Sequence, residues 1–114
     1  MAVYTPKQII AGKAMGNGAA NIGTWQVQNT QGAGTFFIVR TLLVVTPTGA
    51  RTVTIEEGSV AADTVAQKIM DAEPLTANAQ MLRNMWLAVP NNDYFGGYAN
   101  NTDINGAASG YAYA

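Results

Sequence analysis

Residues Thr35–Thr46 read TFFIVRTLLVVT and form the longest apolar and β-branched run in the chain. Successive side chains of a β-strand point to opposite faces. The run then has two apolar faces, Phe37, Val39, Leu43 and Val45 on one and Phe36, Ile38, Leu42 and Val44 on the other. Because both faces need cover, we predict that this run is the central strand of a β-sandwich. The turn residues Gly32-Ala33-Gly34 and Pro47-Thr48-Gly49 set its limits.

Further strands are predicted on both sides of this run. Trp25 and Val27 alternate with glutamines, and Arg51–Glu57 alternates as the expected hairpin partner of the central strand. Two later strands cover 94–99 and 104–113, with Gly96-Gly97 indicating a bulge or a close backbone approach. The predicted fold is all-β, a single jelly-roll-like β-sandwich. Its predicted core comprises Trp25, Phe37, Val39, Leu43, Val53 and Ile55.

Residues 59–89 fit two kinds of secondary structure. Apolar residues recur there at helical spacing, namely Ala61, Val65, Ile69, Met81, Leu82, Met85, Trp86 and Val89. Thr76 is a suitable N-cap for a helix over 77–88. However, 87–93 reads as a strand that runs into a turn, and the rest of the domain is β. The residues alone leave both alternatives open.

The first 23 residues are predicted to form an extended N-terminal arm, with the β-sandwich domain over 24–114. The segment is rich in glycine, and its few large apolar side chains are Tyr4, Ile9, Ile10, Met15 and Ile22. One interpretation is a docking arm that orders on a partner by adding a strand to a neighbour's sheet edge. The other is a loosely packed chain terminus.

Composition argues against most catalytic and nucleic-acid functions. The chain has no cysteine and no histidine, so thiolate chemistry and the commonest general base are absent. We therefore predict no catalytic residues, no cofactor and no metal site. Six basic residues are scattered, which argues against nucleic acid as a partner. The N-terminus lacks the pattern of a secretory signal, so we expect no Sec export.

Charged residues make up 11% of the chain, against roughly 25% in typical soluble domains. A surface of small neutral residues suits a protein that packs against other copies or a larger body. Together with the aromatic C-terminus, this low charge predicts a homo-oligomer. A weakly charged monomer is the alternative.

Two groups of residues have weaker functional interpretations. Glu56, Glu57 and Asp63 are the densest acidic group, and 91–93 and 100–103 are rich in side-chain oxygens, but strand alternation and turn chemistry explain both without a metal. Five aromatic residues resemble a stacking platform for a sugar: Tyr94, Phe95, Tyr98, Tyr111 and Tyr113. They make a carbohydrate-binding β-sandwich an alternative function.

The order of these features resembles a small structural module of tailed-bacteriophage virion proteins, which include head decoration proteins and related tail or fibre components. The matching pieces are Tyr4-Thr5-Pro6, the Trp25 strand, 36–45, 51–55, 71–78, 86–93 and 98–113, with Ser109-Gly110-Tyr111 late in the chain. The chain departs from the commoner pattern at 25–28, where a Thr-Val-Pro turn is more usual, and in its Gly/Ala-rich start. The resemblance also favours a strand over 77–89.

The resemblance implies a non-enzymatic coat component, most specifically a capsid decoration or cement protein that binds the outer surface of a shell and stabilises it. A minor tail, collar or fibre-associated protein is the alternative within the same class. The implied partners are the major capsid protein or another virion protein, with no membrane, and the implied location is a virion assembled in the host cytoplasm. The predicted interface residues are Tyr4, Ile9, Ile10, Met15, Tyr98, Tyr111 and Tyr113.

Overall fold

The computed structural model describes residues 3–46, 48–61 and 67–114. The strands are β1 (Tyr4–Ala14), β2 (Gly16–Asn17), β3 (Gln26–Gln28), β4 (Phe36–Thr46), β5 (Arg51–Gly58), β6 (Gln67–Leu75), β7 (Ala79–Pro90), β8 (Tyr94–Ala99) and β9 (Asn105–Tyr113), with a 3₁₀ helix at Ala19–Trp25. Strand accounts for 66% of the structure and helix for 7%, which confirms the predicted all-β class.

Two sheets pack face to face to form the sandwich. One has the strand order β1-β9-β4-β7, and the other has the order β2-β8-β5-β6 with β3 also paired to β8. Strands that are neighbours along the chain thus mostly lie apart in space, which is the double Greek-key arrangement of a jelly roll. β4 lies between β9 and β7, as predicted for the central strand.

A β-bulge at Arg40 changes which side chains of β4 face the core. The pairing of β4 with both neighbours shifts register between Val39 and Thr41. Before the shift Phe37 and Val39 are buried, and after it Leu42 and Val44 are buried. The prediction that Leu43 is in the core is therefore wrong, because the extra residue reverses the alternation. The other five predicted core residues are buried.

The predicted hairpin between the central strand and Arg51–Glu57 is also wrong. β4 and β5 lie in different sheets, and β5 pairs with β6 and β8. The chain crosses from one sheet to the other after β4, as jelly-roll connections do. The predicted turn residue Pro47 lies outside the described residues.

Residues 79–90 form a strand, which decides the ambiguity between strand and helix. β7 pairs with β4 along its whole length, so ladder hydrogen bonds and one apolar face outweigh the helical spacing. Ile69 lies in β6. Val65 and Asp63 lie outside the described residues.

Residues 4–23 lie within the sandwich, so the predicted boundary at residue 23 does not separate an arm from it. β1 pairs with β9 of the same chain, and β2 pairs with β8. Ile9, Ile10 and Met15 belong to the core cluster. A segment this rich in glycine cannot build a core alone, but pairing to β9 supplies its backbone hydrogen bonds and leaves only a few side chains to be buried.

The interior contains a large aromatic centre. Trp25 is fully buried, its indole Nε1 donates to the carbonyl oxygen of Gly106 at 2.9 Å, and its ring centroid lies 5.8 Å from that of Phe95. Adjacent glycines in β8 permit the backbone approach that the sequence predicted. A Cβ on Gly96 would lie 2.6 Å from the Trp25 carbonyl oxygen, and one on Gly97 would lie 2.5 Å from that of Thr54.

Polar contacts close both ends of the sandwich. Asn29 is fully buried, and its side chain donates to the carbonyl oxygens of Val89 and Thr35 while accepting from the Gln31 amide. At the opposite end Arg51 forms a bidentate pair with Asp103, both N···O distances being 2.8 Å. Beyond β1 and β9, the backbone amides and carbonyls of Val3 and Ala114 bond reciprocally at 2.9 and 3.2 Å.

Replacement of Gly110 by alanine is expected to destabilise the fold, because a Cβ at Gly110 would overlap the carbonyl oxygen of Ile38 at the β4 bulge. Overpacking against backbone typically costs about 1 to 3 kcal/mol of unfolding free energy. Urea denaturation should show a lower midpoint for Gly110→Ala. Gly12→Ala is the matched control, since open space surrounds Gly12. Equal midpoints for the two variants would contradict the bulge geometry.

Stability is expected to fall in acid through Asp103. Its hydrogen bond to the Arg51 guanidinium, followed by that to the Thr48 hydroxyl, lowers the pKa of Asp103 from 3.8 to about 2. The stabilisation is therefore present above pH 3.8 and lost as the pH falls towards 2. Thermal melts between pH 3.8 and 2 should show a smaller fall in melting temperature for Asp103→Asn than for the unaltered protein. Arg51→Gln should have the same effect, and the double variant should behave like either single variant. If the effects of the two substitutions were instead fully additive, Arg51 and Asp103 would not act as a pair.

Candidate functional site

The solvent side of the β1-β9-β4-β7 sheet, which we call the outer face, is built from four paired strands. Strand register brings one row of side chains from each strand onto it. β9 contributes Asn105, Ala107, Ser109, Tyr111 and Tyr113; β7 contributes Gln80, Leu82, Asn84, Trp86 and Ala88; β4 contributes Phe36, Ile38, Arg40, Thr41, Leu43 and Val45; and β1 contributes Tyr4, Pro6 and Gln8.

The outer face is nearly uncharged and carries exposed apolar side chains. Among the described outward-facing residues of β4, β7 and β9, Arg40 is the only charged one. Its guanidinium carbon lies 4.8 Å from the centre of the Trp86 ring, and Trp86 remains 59% exposed. Leu82 on the same strand is 62% exposed. An apolar sheet face of this kind is typical of a protein interaction surface.

Three tyrosines form a cluster at one end of the outer face, and we call it the tyrosine cluster. Tyr4 of β1 lies opposite Tyr113 of β9, with ring centroids 4.8 Å apart. The Tyr4 and Tyr111 rings meet edge to face at 6.3 Å. Tyr113 also contacts Phe36 of β4 at 6.3 Å. The cluster exists because β1 pairs with β9, which joins the two ends of the sequence.

The structure brings together only part of the predicted interface. Tyr4, Tyr111 and Tyr113 form the tyrosine cluster, and Tyr4 and Tyr111 are exposed. Tyr98 lies in β8 of the other sheet and is half-buried. The remaining three predicted residues, Ile9, Ile10 and Met15, are buried in the protein's own core and offer no surface to a partner.

The exposed residues Leu82 and Trp86 are functional candidates that the sequence analysis missed. Their four-residue spacing was interpreted as part of a helical pattern, although the same spacing also places both on one face of a strand. In the structure they stand on the outer face at its β7 edge. Two large apolar residues in a row whose other members, Gln80, Asn84 and Ala88, are polar or small were the available signal.

The five aromatic residues of the predicted sugar platform do not form one surface. Phe95 is fully buried in the core, whereas Tyr94 and Tyr98 belong to β8 and Tyr111 and Tyr113 to β9. An open groove of about 530 Å³ crosses the outer face beside Arg40 and Tyr111, with Gln8, Thr41 and Ser109 along it. It offers hydrogen-bonding groups next to a single aromatic ring.

The acidic and oxygen-rich segments have structural partners. Asn29, Asn91 and Asp93 join the loops at one end of the sandwich, and Asp103 pairs with Arg51 at the other. Within the described ranges no group of three or more His, Cys, Asp or Glu residues is arranged to hold a metal ion. None of the helical residues described here forms a segment of the length and apolarity needed to cross a membrane.

The carboxyl group of Glu57 is partly buried and is hydrogen-bonded to Asp93. Burial of Glu57, followed by its hydrogen bond to Asp93, raises the pKa of Glu57 from 4.5 to about 7. The folded protein then retains a proton that the unfolded chain releases, so stability falls as the pH rises from 4.5 to about 7.

Glu57→Gln is expected to reduce this decline, because the amide stays neutral and can still donate to Asp93. Urea midpoints measured across the same pH window test it. Asp71→Asn, which removes an exposed carboxylate of β6, should leave the decline in place. A decline that persists unchanged in Glu57→Gln would contradict the raised pKa of Glu57.

Comparison with known proteins identifies no family for this chain. No protein-family model and no curated protein matches the chain. A solved structure to which the chain is similar is that of infectious bursal disease virus, Gx strain, with a TM-score of 0.48 and 12% sequence identity. The similarity covers 99% of this chain and 32% of that one, so this chain spans about a third of the other's length.

Proposed function

We propose that the protein is a structural component of a tailed-bacteriophage virion, specifically a decoration or cement protein that binds the outer surface of a capsid. The observation that carries the proposal is the outer face: four strands present exposed aromatic and aliphatic side chains, and among the described outward-facing residues of β4, β7 and β9 only Arg40 is charged. The resemblance of the sequence to virion modules points in the same direction.

The mechanism in this proposal is burial of apolar surface rather than chemistry. Removing apolar surface from water stabilises a contact by roughly 25 cal/mol per Å². Aromatic residues dominate the energetics of such contacts, and Tyr is a common anchor because its ring is apolar while its hydroxyl stays hydrated. The tyrosine cluster meets this description, because its rings are held in place by each other before any partner arrives.

The outer face suits a shell as its partner because it is extended and nearly neutral. Without strong charge, docking does not depend on an oppositely charged partner, and ionic strength has little effect on it. A minor tail, collar or fibre-associated role would use the same face on a different part of the virion. The two roles differ in copy number, since decoration requires many symmetry-related copies.

The test is binding of purified protein to particles of the encoding phage that were assembled without it. We expect saturable occupancy at a fixed, symmetry-related copy number, measured by quantitative gel densitometry of gradient-purified particles. Tyr4→Ala with Tyr111→Ala should reduce occupancy at least tenfold, since each truncation of an interface anchor costs on the order of 1 kcal/mol or more.

Val60→Ala is the matched control, because Val60 is an exposed apolar residue that follows β5 of the other sheet. It should bind as the unaltered protein does. Binding of the tyrosine double variant at full occupancy would remove the outer face from the proposal. A copy number of only a few per particle would favour the tail or collar role, and binding to a glycan array without particle binding would favour the carbohydrate alternative.

A further inference from the structure

The two sheets have four edges, and three of them carry features that block pairing with another strand. β1 contains Pro6 and two register shifts. β6 contains Pro74, two register shifts against β5, and Ala72 with a φ of 50°. The edge opposite β6 consists of β2 and β3, which are two and three residues long. Prolines, bulges and short strands are the usual means by which edges avoid association.

The fourth edge, β7, has fewer of these features, namely one register shift against β4 beside Met85 and Trp86, and a proline at its last residue. It is 12 residues long, proline occurs only at its end, and Arg83 is its one charged residue. Arg83 is already bonded to Glu73 of β6 at 2.6 Å. Exposed and covered side chains largely alternate along the strand, so its outward row is regular. Among the described residues no strand pairs with β7 on the side away from β4, so from Gln80 onward this long and nearly uncharged edge can accept another strand.

We propose that β7 pairs antiparallel with β7 of a second copy of this chain, across a two-fold axis at Asn84. The two four-stranded sheets would then join into one eight-stranded sheet, and the outer faces of both copies would form one surface. This inference concerns the isolated protein and does not rest on the proposed function.

The sequence of β7 is complementary to itself in this register. Residues directly opposite each other in an antiparallel pair share a face. With Asn84 on the axis, Leu82 lies opposite Trp86 of the partner subunit, and this contact occurs twice. Leu82 and Trp86 are the two most exposed large apolar residues of β7, at 62% and 59%.

The same register also avoids unfavourable pairs. Arg83 lies opposite Met85 of the partner subunit, so no like charges face each other. Residues 80–88 are paired, and Pro90, which has no amide hydrogen to donate, is left outside the ladder. A register centred one residue further along would bring Pro90 into the ladder and separate Leu82 from the partner's Trp86.

Cysteine cross-linking tests this register directly, because the chain has no cysteine of its own. In Asn84→Cys the two introduced thiols face each other across the axis, within the Cα separation of roughly 4.4 to 6.8 Å that a disulfide requires. Mild oxidation of the full chain should convert most of it into a covalent dimer on non-reducing gels.

Gln80→Cys and Ala88→Cys are matched controls on the same row of the same strand. Each is about 27 Å from its own copy in this register, because a strand rises about 3.4 Å per residue. Neither should cross-link alone, whereas a mixture of the two should form a heterodimer, because residue 80 lies opposite residue 88. No cross-linking of Asn84→Cys, or equal cross-linking of all three variants alone, would overturn the proposal.

A charge exchange provides a second test without cysteine. Leu82→Lys removes both copies of the contact with Trp86 and should raise the dissociation constant roughly a hundredfold in sedimentation equilibrium. Adding Trp86→Glu places opposite charges across the axis and should restore part of the affinity. Val3→Lys, an exposed apolar position outside the strands, should leave association unchanged. A monomeric unaltered protein at every accessible concentration would also overturn the proposal.

Discussion

The packing of the sandwich depends on the burial of Trp25. Its indole bonds to the carbonyl oxygen of Gly106 in β9, while Phe95 of β8 packs against its ring, so one side chain contacts both sheets. Gly106 has no Cβ for a steric reason, since one would lie 2.6 Å from the Met15 side chain and 3.1 Å from the Trp25 ring. Loss of a buried tryptophan costs about 3 to 5 kcal/mol in typical cores. Trp25 also directly precedes β3, so its position sets where β3 pairs with β8.

The ends of the sandwich are held by polar groups, and their hydrogen bonds fix the positions of the loops, which apolar packing does not. Asn29 is buried with its side-chain amide fully engaged by the strand ends around it, which meets the requirement that interior polar groups be bonded. Arg51 and Asp103 perform a similar task in a more exposed place, and there the gain depends on pH and salt. The apolar core sets how the sheets face each other, whereas these contacts set how the loops connect them.

Much of the fold follows from sequence patterns, and its exceptions have local causes. The run 35–46 indicates an interior strand because its side chains are apolar on both faces, and β4 is such a strand. The bulge at Arg40 cannot be read from that pattern, because it appears only in the pairing of β4 with β7 and β9, where Gly110 of β9 lies against the Ile38 carbonyl. The hairpin prediction failed because a short connection between two strands does not specify whether they share a sheet. The glycine-rich start was underestimated since its pairing with β9 is between residues about 100 positions apart.

The candidate site could be predicted only where single residues reveal it. Tyr4, Tyr111 and Tyr113 are visible as aromatic residues near the two chain ends, but their contact with one another follows from tertiary pairing. Leu82 and Trp86 satisfy helix and strand periodicities alike, so their exposure depends on the decision between the two. The opposite error concerns the predicted arm. Its apolar residues Ile9, Ile10 and Met15 were predicted to contact a partner, but they pack in the protein's own core.

The reciprocal bonds between Val3 and Ala114 place residues 3 and 114 side by side, at the end of the sheet that carries the tyrosine cluster. Adjacent termini allow a domain to be circularly permuted or inserted into a loop of another protein with short linkers. In this chain the same adjacency means that a tag or fusion partner at either terminus would sit beside Tyr4 and Tyr113. Such a fusion would shield that corner from other molecules, whereas a permutant opened at the β8–β9 loop, at the opposite end of the sheet, would carry its cargo away from it.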